Sequence, residues 1–310
     1  MSPEPLVALP VVDFAPFLDG CADPVVIGVA CDGSAYAVAR KARKPPKVTG
    51  KLANTRLRRP TDYLVIRHGT GVTESFVVPR QTMVFHHVQP HPDGALLVCA
   101  RCWWTPQAVD ENALVVDRTG RAVRRFTLGD GIEDVRVTPN GTVWVSYFDE
   151  GIFGNYGWNH PGPRAIGAPG LVAFTRTGKL VRSYDAKTAG TDAICDAYAT
   201  NVVGDDEAWV YFYTEFSIVR LRGKRYSVWR TRHGGARALC VRGNRALLVG
   251  GYDDSLVRCL ELGKNGKTRT LWKRPLVDER GRRLDDVWCR GVGDRLYVFK
   301  GRAVSRVAEW

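Results

Sequence analysis

Two adjacent histidines, His86 and His87, occupy the same place in one segment as two adjacent acids, Glu133 and Asp134, occupy in another. HHVQPHPDGALLVCA (86–100) aligns with EDVRVTPNGTVWVSY (133–147), so that Pro92-Asp93-Gly94 falls on Pro139-Asn140-Gly141. Imidazole and carboxylate converging on one point can hold a divalent cation with open coordination positions. They can also serve as general base and acid on a bound substrate. The same alignment brings in Asp196 from ICDAY, Arg237 from GARALC, and Asp285 and Asp286 from LDDVWC. In a catalytic reading His87 is the base, Asp134 the acid or metal group, and Arg237 an anion clamp. The metal reading gathers His86, His87, Glu133, Asp134, Asp196 and Asp286 around calcium, magnesium, manganese or zinc. The competing reading makes each Asp a structural tie, accepting backbone N–H groups from a neighbouring repeat.

Such residues need a scaffold, and the repeat supplies it. Val135 and Val137, then Val143 and Val145, alternate around Asn140-Gly141, the pattern of two strands joined by a tight turn. DRTGRAVRRF (117–126) and TRTGKLVRSY (175–184) match one another and read as a second hairpin in each copy. Hairpin, loop, hairpin at a period of about forty-five residues is the signature of a four-stranded propeller blade. Copies fall at approximately 25–80, 84–130, 131–186, 194–232, 236–275 and 284–310. The last lacks a strand, which PLVALPVVDF (5–14) can supply, leaving no open edge. The expectation is an all-β protein, a six-bladed β-propeller in a single domain spanning 1–310, with seven blades as the alternative.

In such meanders the tight turns lie on one face, and the connections at the open ends of the hairpins lie on the other. The long segments 40–61, 103–112, 149–169 and 275–285 all belong to the second set, which is where function usually sits on a rigid scaffold. RKARKPPKVTGKLANTRLRR (40–59) carries nine Lys or Arg and no acid. It reads either as a solvated loop or as a collar that attracts anions. The run GIFGNYGWNHPGPRAIGAPG (151–170) sets Tyr156, Trp158 and His160 among glycines and prolines, within reach of Trp103 and Trp104 and beside Asp149 and Glu150. These seven residues are the candidate ligand-binding set. Packing of the run onto the neighbouring repeat is the alternative.

The motif at 133–145, x-D-V-x-V-x-P-[DN]-G-x-[VL]-W-V, resembles the blades of the broad six-bladed group that contains the NHL-repeat and gluconolactonase-like (SMP-30) propellers. That resemblance implies the architecture. It further implies a divalent metal held by Glu, Asn and Asp at a channel mouth, with Asp134 near one ligand position and His87 where the group has no histidine.

Lys and Arg number 45 against 32 Asp and Glu, for a formal charge of +13, which favours anionic partners without choosing among them. No apolar run is long enough to span a bilayer. Eight cysteines scattered through strand-like runs read as buried free thiols of a cytoplasmic protein. Three functions follow from these features. The first is a ligand- or protein-binding propeller using its loop-rich face for an anionic small molecule or protein. The second is a metal-assisted hydrolase or lyase, and the third is RNA binding through the basic loop, which lacks aromatics for base stacking.

Overall fold

Short runs of β-branched and aromatic residues punctuated by Gly-containing turns build six antiparallel sheets, and little else. The computed structural model describes residues 4–42, 56–307 and 309–310. Blade 1 comprises Cys21–Val29, Ala35–Lys41, Arg56–Gly69 and Val72–Met83. Blade 2 comprises His87–His91, Gly94–Val98, Ala113–Val116 and Ala122–Phe126, and blade 3 Ile132–Val137, Val143–Tyr147, Leu171–Phe174 and Leu180–Ser183. Blade 4 comprises Asp196–Gly204, Glu207–Tyr213, Ile218–Arg222 and Arg225–Trp229, and blade 5 Ala238–Arg242, Arg245–Val249, Val257–Leu262 and Thr268–Arg274. In blade 6, Trp288–Val292, Arg295–Lys300 and Ala303–Val307 are joined by the N-terminal strand Leu6–Asp13. The protein is an all-β, six-bladed β-propeller whose last blade is closed by its N-terminal strand.

One strand escapes the sequence pattern. Leu276–Asp278 pairs in parallel with Leu6–Asp13, Leu6 opposite Leu276 and Ala8 opposite Asp278, so blade 6 has five strands. Three residues are too few for an alternation to register.

Two compact units share the blades: Phe14–Tyr184 holds blades 1 to 3, and Met1–Asp13 with Asp185–Trp310 holds blades 4 to 6. In the first unit, Val38, Val65 and Val78 of blade 1 meet Val88, Leu97 and Leu114 of blade 2 in one buried cluster. The first strands approach closely enough that a Cβ on Gly28 would lie 2.1 Å from the Val88 carbonyl oxygen. In the second unit, Leu6 and Ala8 are buried with Leu247, Cys259, Leu296 and Val298. There a Cβ on Gly291 would lie 1.7 Å from the Leu239 carbonyl oxygen. Asn201, fully buried, ties the first strands of blades 4, 5 and 6: its Nδ2 donates to the carbonyls of Leu239 (2.9 Å) and Gly293 (2.7 Å), and its Oδ1 accepts from Gly293 N–H (2.9 Å).

Second strands such as Gly94–Val98 and Val143–Tyr147 are buried almost throughout. Fourth strands are exposed or half-buried, and basic residues recur on them: Arg124 and Arg125, Arg182, Arg225, and Arg269 with Lys273 and Arg274. Charge on an unpaired edge opposes edge-to-edge association. Part of the +13 therefore has a structural use spread around the periphery.

The Asn140-Gly141 turn is wider than a two-residue hairpin loop. The ladder stops at Val137 opposite Val143, and Gly141 N–H closes onto the Thr138 carbonyl at 2.9 Å.

Candidate functional site

In the first unit the open ends of blades 2 and 3 converge on Arg101. Its guanidinium lies 3.3 Å from Asp130 and 2.5 Å from Glu150, with the Tyr156 ring 4.4 Å and the Phe148 ring 5.5 Å from its central carbon. Tyr156 in turn packs on Trp103 at 4.4 Å between centroids, and its carbonyl accepts from Trp104 N–H. Trp158 is buried, donating through Nε1 to the Cys102 carbonyl at 2.9 Å, in a small core with Cys102 and Ala165. The aromatic run therefore folds down onto the blade 2 loop, and Trp158 serves as an internal strut. His160 and Asp149 are exposed. A Cβ on Gly157 would meet the Trp104 carbonyl at 2.2 Å, which accounts for the glycine there.

Asp130 was not singled out from the sequence. Burial, helped by the Glu150 carboxylate, pushes its pKa up to about 6, against Arg101 and the N–H groups of Cys102 and Gly131. Its Oδ1 accepts from Cys102 N–H at 2.8 Å, while its buried Oδ2 has no hydrogen-bond partner. His86 is held nearby as a neutral acceptor, its Nδ1 receiving Ala100 N–H at 3.1 Å. Burial first, and Arg101 second, push its pKa down to about 4.

The remaining predicted residues of this unit line strand starts. His87 opens the first strand of blade 2 opposite Val98. Glu133 is the extra residue of a bulge between Ile132 and Asp134, which leaves it out of register while Asp134 pairs with Ser146. Bulges of this kind re-aim side chains. Asp134 is buried and accepts from Arg136 Nε at 2.9 Å, and Arg136 reaches on to the Val29 carbonyl of blade 1 at 3.4 Å. This is the geometry of a tie between blades. Among the described residues no group of three or more His, Cys, Asp or Glu is placed to hold a metal ion. The basic run 40–59 lies partly outside the described residues. Of its described part, Arg40 is buried, donating to the Asp23 carbonyl, and Arg56 pairs with Asp110.

The second unit carries a different arrangement at its own open ends. Asp196 opens the first strand of blade 4, opposite Tyr213. Between blades 5 and 6 is a cleft of about 240 Å³, whose rim includes Arg237, Tyr252, Asp253, Asp254, Asp285 and Trp288. Leu276, Leu284 and Cys289 are among its apolar lining. Asp286 is exposed beside it. Tyr252 is 63% and Trp288 52% exposed. Tyr252 is nevertheless fixed. Its N–H donates to the Gly234 carbonyl, its hydroxyl lies 2.6 Å from that of Tyr198, and its ring covers Gly234-Gly235, where a Cβ on Gly235 would lie 2.7 Å from it. Rings continue from there across blade 4, through Tyr198 to Tyr213 and Phe216 at centroid spacings of 5.7 to 6.3 Å.

Polar groups around the cleft are graded in their commitments. Asp285 accepts from Ser255 Oγ (2.5 Å) and Arg283 (2.6 Å), and those two bonds, Arg283 foremost, hold its pKa below the usual carboxylate range. Asp254 is bound by Arg258 and by Leu256 N–H. Asp253 and the Arg237 side chain are exposed and have no partner among the described residues. Sequence alignment marked Arg237 and Asp285. It missed Tyr252 and Trp288, although GGYDDS and DDVWC place an aromatic at the open end of each hairpin.

Fold and cleft together define the chain as a β-propeller with a recessed, aromatic-edged site. No protein-family model matches the chain, and no curated protein matches it in sequence. Among solved structures it is similar to a functionally unknown protein from Desulfotomaculum acetoxidans, at 13% identity over 92% of this chain and 85% of that one, with a TM-score of 0.48. It is also similar to YCF48 bound to a D1 peptide, at 8% identity over 99% and 98% of the two chains, TM-score 0.49. A third is the PQQ-bound aldose sugar dehydrogenase from Streptomyces coelicolor, at 8% identity over 99% and 96%, TM-score 0.45.

Proposed function

We propose that the protein is a binding propeller that captures its partner in the cleft between blades 5 and 6. The observation that carries this reading is Tyr252, a ring left mostly in water yet immobilised by three separate restraints. An exposed aromatic that is already ordered loses little conformational entropy on binding, and Tyr and Trp dominate recognition sites for that reason. Trp288 across the cleft gives the site two such walls. The motif at 133–145 supports kinship with the NHL-repeat and gluconolactonase-like propellers, and the eight free thiols support a reducing compartment such as the cytoplasm. No helix among the described residues is long and apolar enough to cross a membrane.

An anionic partner draws its support from the +13 charge, but part of that charge has an explanation in the fourth strands of the blades. In the cleft Arg237 is outnumbered by Asp253, Asp254 and Asp285. Panning a displayed peptide library on the wild-type protein tests the binding reading. Peptides recovered should bind at least tenfold more weakly to Trp288→Ala and to Tyr252→Ala. Because the Trp288 ring is half exposed, Trp288→Ala should change stability by less than about 1 kcal/mol, and circular dichroism checks that Tyr252→Ala keeps the fold. Equal affinity for the wild type and both variants would place binding elsewhere.

A further inference from the structure

Among the residues that line the cleft acids outnumber bases, the reverse of the chain as a whole. The lining holds three carboxylates, Asp253, Asp254 and Asp285, and one guanidinium, Arg237. Arg258 and Arg283, from outside the lining, neutralise Asp254 and Asp285, which leaves Asp253 as the carboxylate to meet a cation. Asp253 has no cation of its own among the described residues. Trp288 already holds a guanidinium against its ring, with the Arg290 central carbon 4.7 Å from the centroid. Aromatic faces attract cations through the ring quadrupole, and carboxylates beside them add a directional ion pair. A volume of about 240 Å³ lies below the usual range for whole small-molecule ligands and suits one long side chain.

Resting on the binding reading above, we propose that the cleft is the receptor for an arginine or lysine side chain presented by an extended segment of a partner protein. Asp253 supplies the counter-charge, Tyr252 and Trp288 flank the aliphatic stem and cationic head, and Leu276 and Leu284 receive the methylenes. The rings of Tyr198 and Tyr213 continue outward over blade 4, giving the flanking residues of the segment a surface to lie on. A free cation would use the cleft alone.

The test uses the full chain and capped nine-residue peptides of alanine and glycine with one central residue: arginine, citrulline or glutamate. Affinities are read by ligand-observed NMR, with argininamide as the free-cation control. The arginine peptide should bind at least tenfold more tightly than the citrulline and glutamate peptides and more tightly than argininamide. Asp253→Asn should remove most of that preference, and Trp288→Ala should weaken the arginine peptide at least tenfold. Circular dichroism of both variants checks that the fold is retained. If citrulline or glutamate peptides bind as well as arginine and remain sensitive to Trp288→Ala, the cationic assignment falls and the binding cleft stands. An arginine preference untouched by either substitution puts the cation elsewhere and overturns the proposal. Argininamide binding as tightly as the peptide overturns the partner segment, and no binding by any of them overturns cleft and cation together.

Discussion

Asp130 and His86 share Arg101 as a charged neighbour, and burial moves them in opposite directions. An unfolded aspartate titrates near 3.9 and an unfolded histidine near 6.5. With a folded value of about 6, Asp130 binds its proton more tightly in the native state, so its contribution to stability is full below about pH 4 and is lost as pH rises through 6. With a folded value of about 4, His86 does the reverse: its contribution is present above about pH 6.5 and is lost as pH falls through 4. The two slopes oppose each other over one window. Replacing Asp130 with Asn should therefore steepen the loss of stability on acidification from pH 6.5 to 4.5, and replacing His86 with Asn should flatten it. Each change should reach up to about 3 kcal/mol across the window. Urea unfolding at several pH values measures both, and slopes of the same sign would refute the assignment. At this scale the sequence was partly readable. The histidine pair and the Glu133-Asp134 pair stand out by type, but their neighbours do not. Asp134 is committed to Arg136, while Asp130, hidden in a Gly-Asp-Gly turn, looks like an ordinary turn residue until burial is known.

At the scale of elements, periodicity proved sufficient for the blades because each hairpin repeats both an alternation and a glycine at its turn. It could not show how loops pack. Trp158, for which the sequence left a ligand wall and packing onto the neighbouring repeat both open, is a buried strut, because a Gly-rich run can wrap a large ring against Cys102 and Ala165. Nor could it show how near two blades come. Gly291 exists where the first strand of blade 6 nearly touches the Leu239 carbonyl. Gly291→Ala should cost about 1–3 kcal/mol or more, since strand and neighbour must separate to admit one methyl. Gly204, with nothing within 4 Å of its would-be Cβ, is the matched control, and Gly204→Ala should stay within about 0.5 kcal/mol. Thermal and denaturant unfolding of the two variants make the comparison. Equal effects would mean that blade spacing is softer than the geometry indicates.

For the molecule as a whole, the decisive element is the strand Leu6–Asp13, flanked by Leu276–Asp278 and Ala303–Val307. Leu6 and Ala8 are buried in the same cluster as Leu296 and Val298. A chain lacking residues 1–13 would leave two unpaired edges, and it should lose its sharp unfolding transition and associate with itself. Calorimetry and light scattering read the two effects, and a synthetic peptide covering 1–13 should restore the wild-type behaviour. A shortened chain that stays monodisperse and melts cooperatively would show the closure to be dispensable. The same pairing sets a timetable for biosynthesis. Asp13 is partnered by Ala303, 290 positions on. At roughly 5–20 residues per second, the ribosome needs roughly 15–60 s to deliver that partner. Throughout that interval Leu6–Asp13 has no antiparallel partner. Its apolar residues stay in need of shelter from other nascent chains, and closure of blade 6 waits on the arrival of Ala303–Val307.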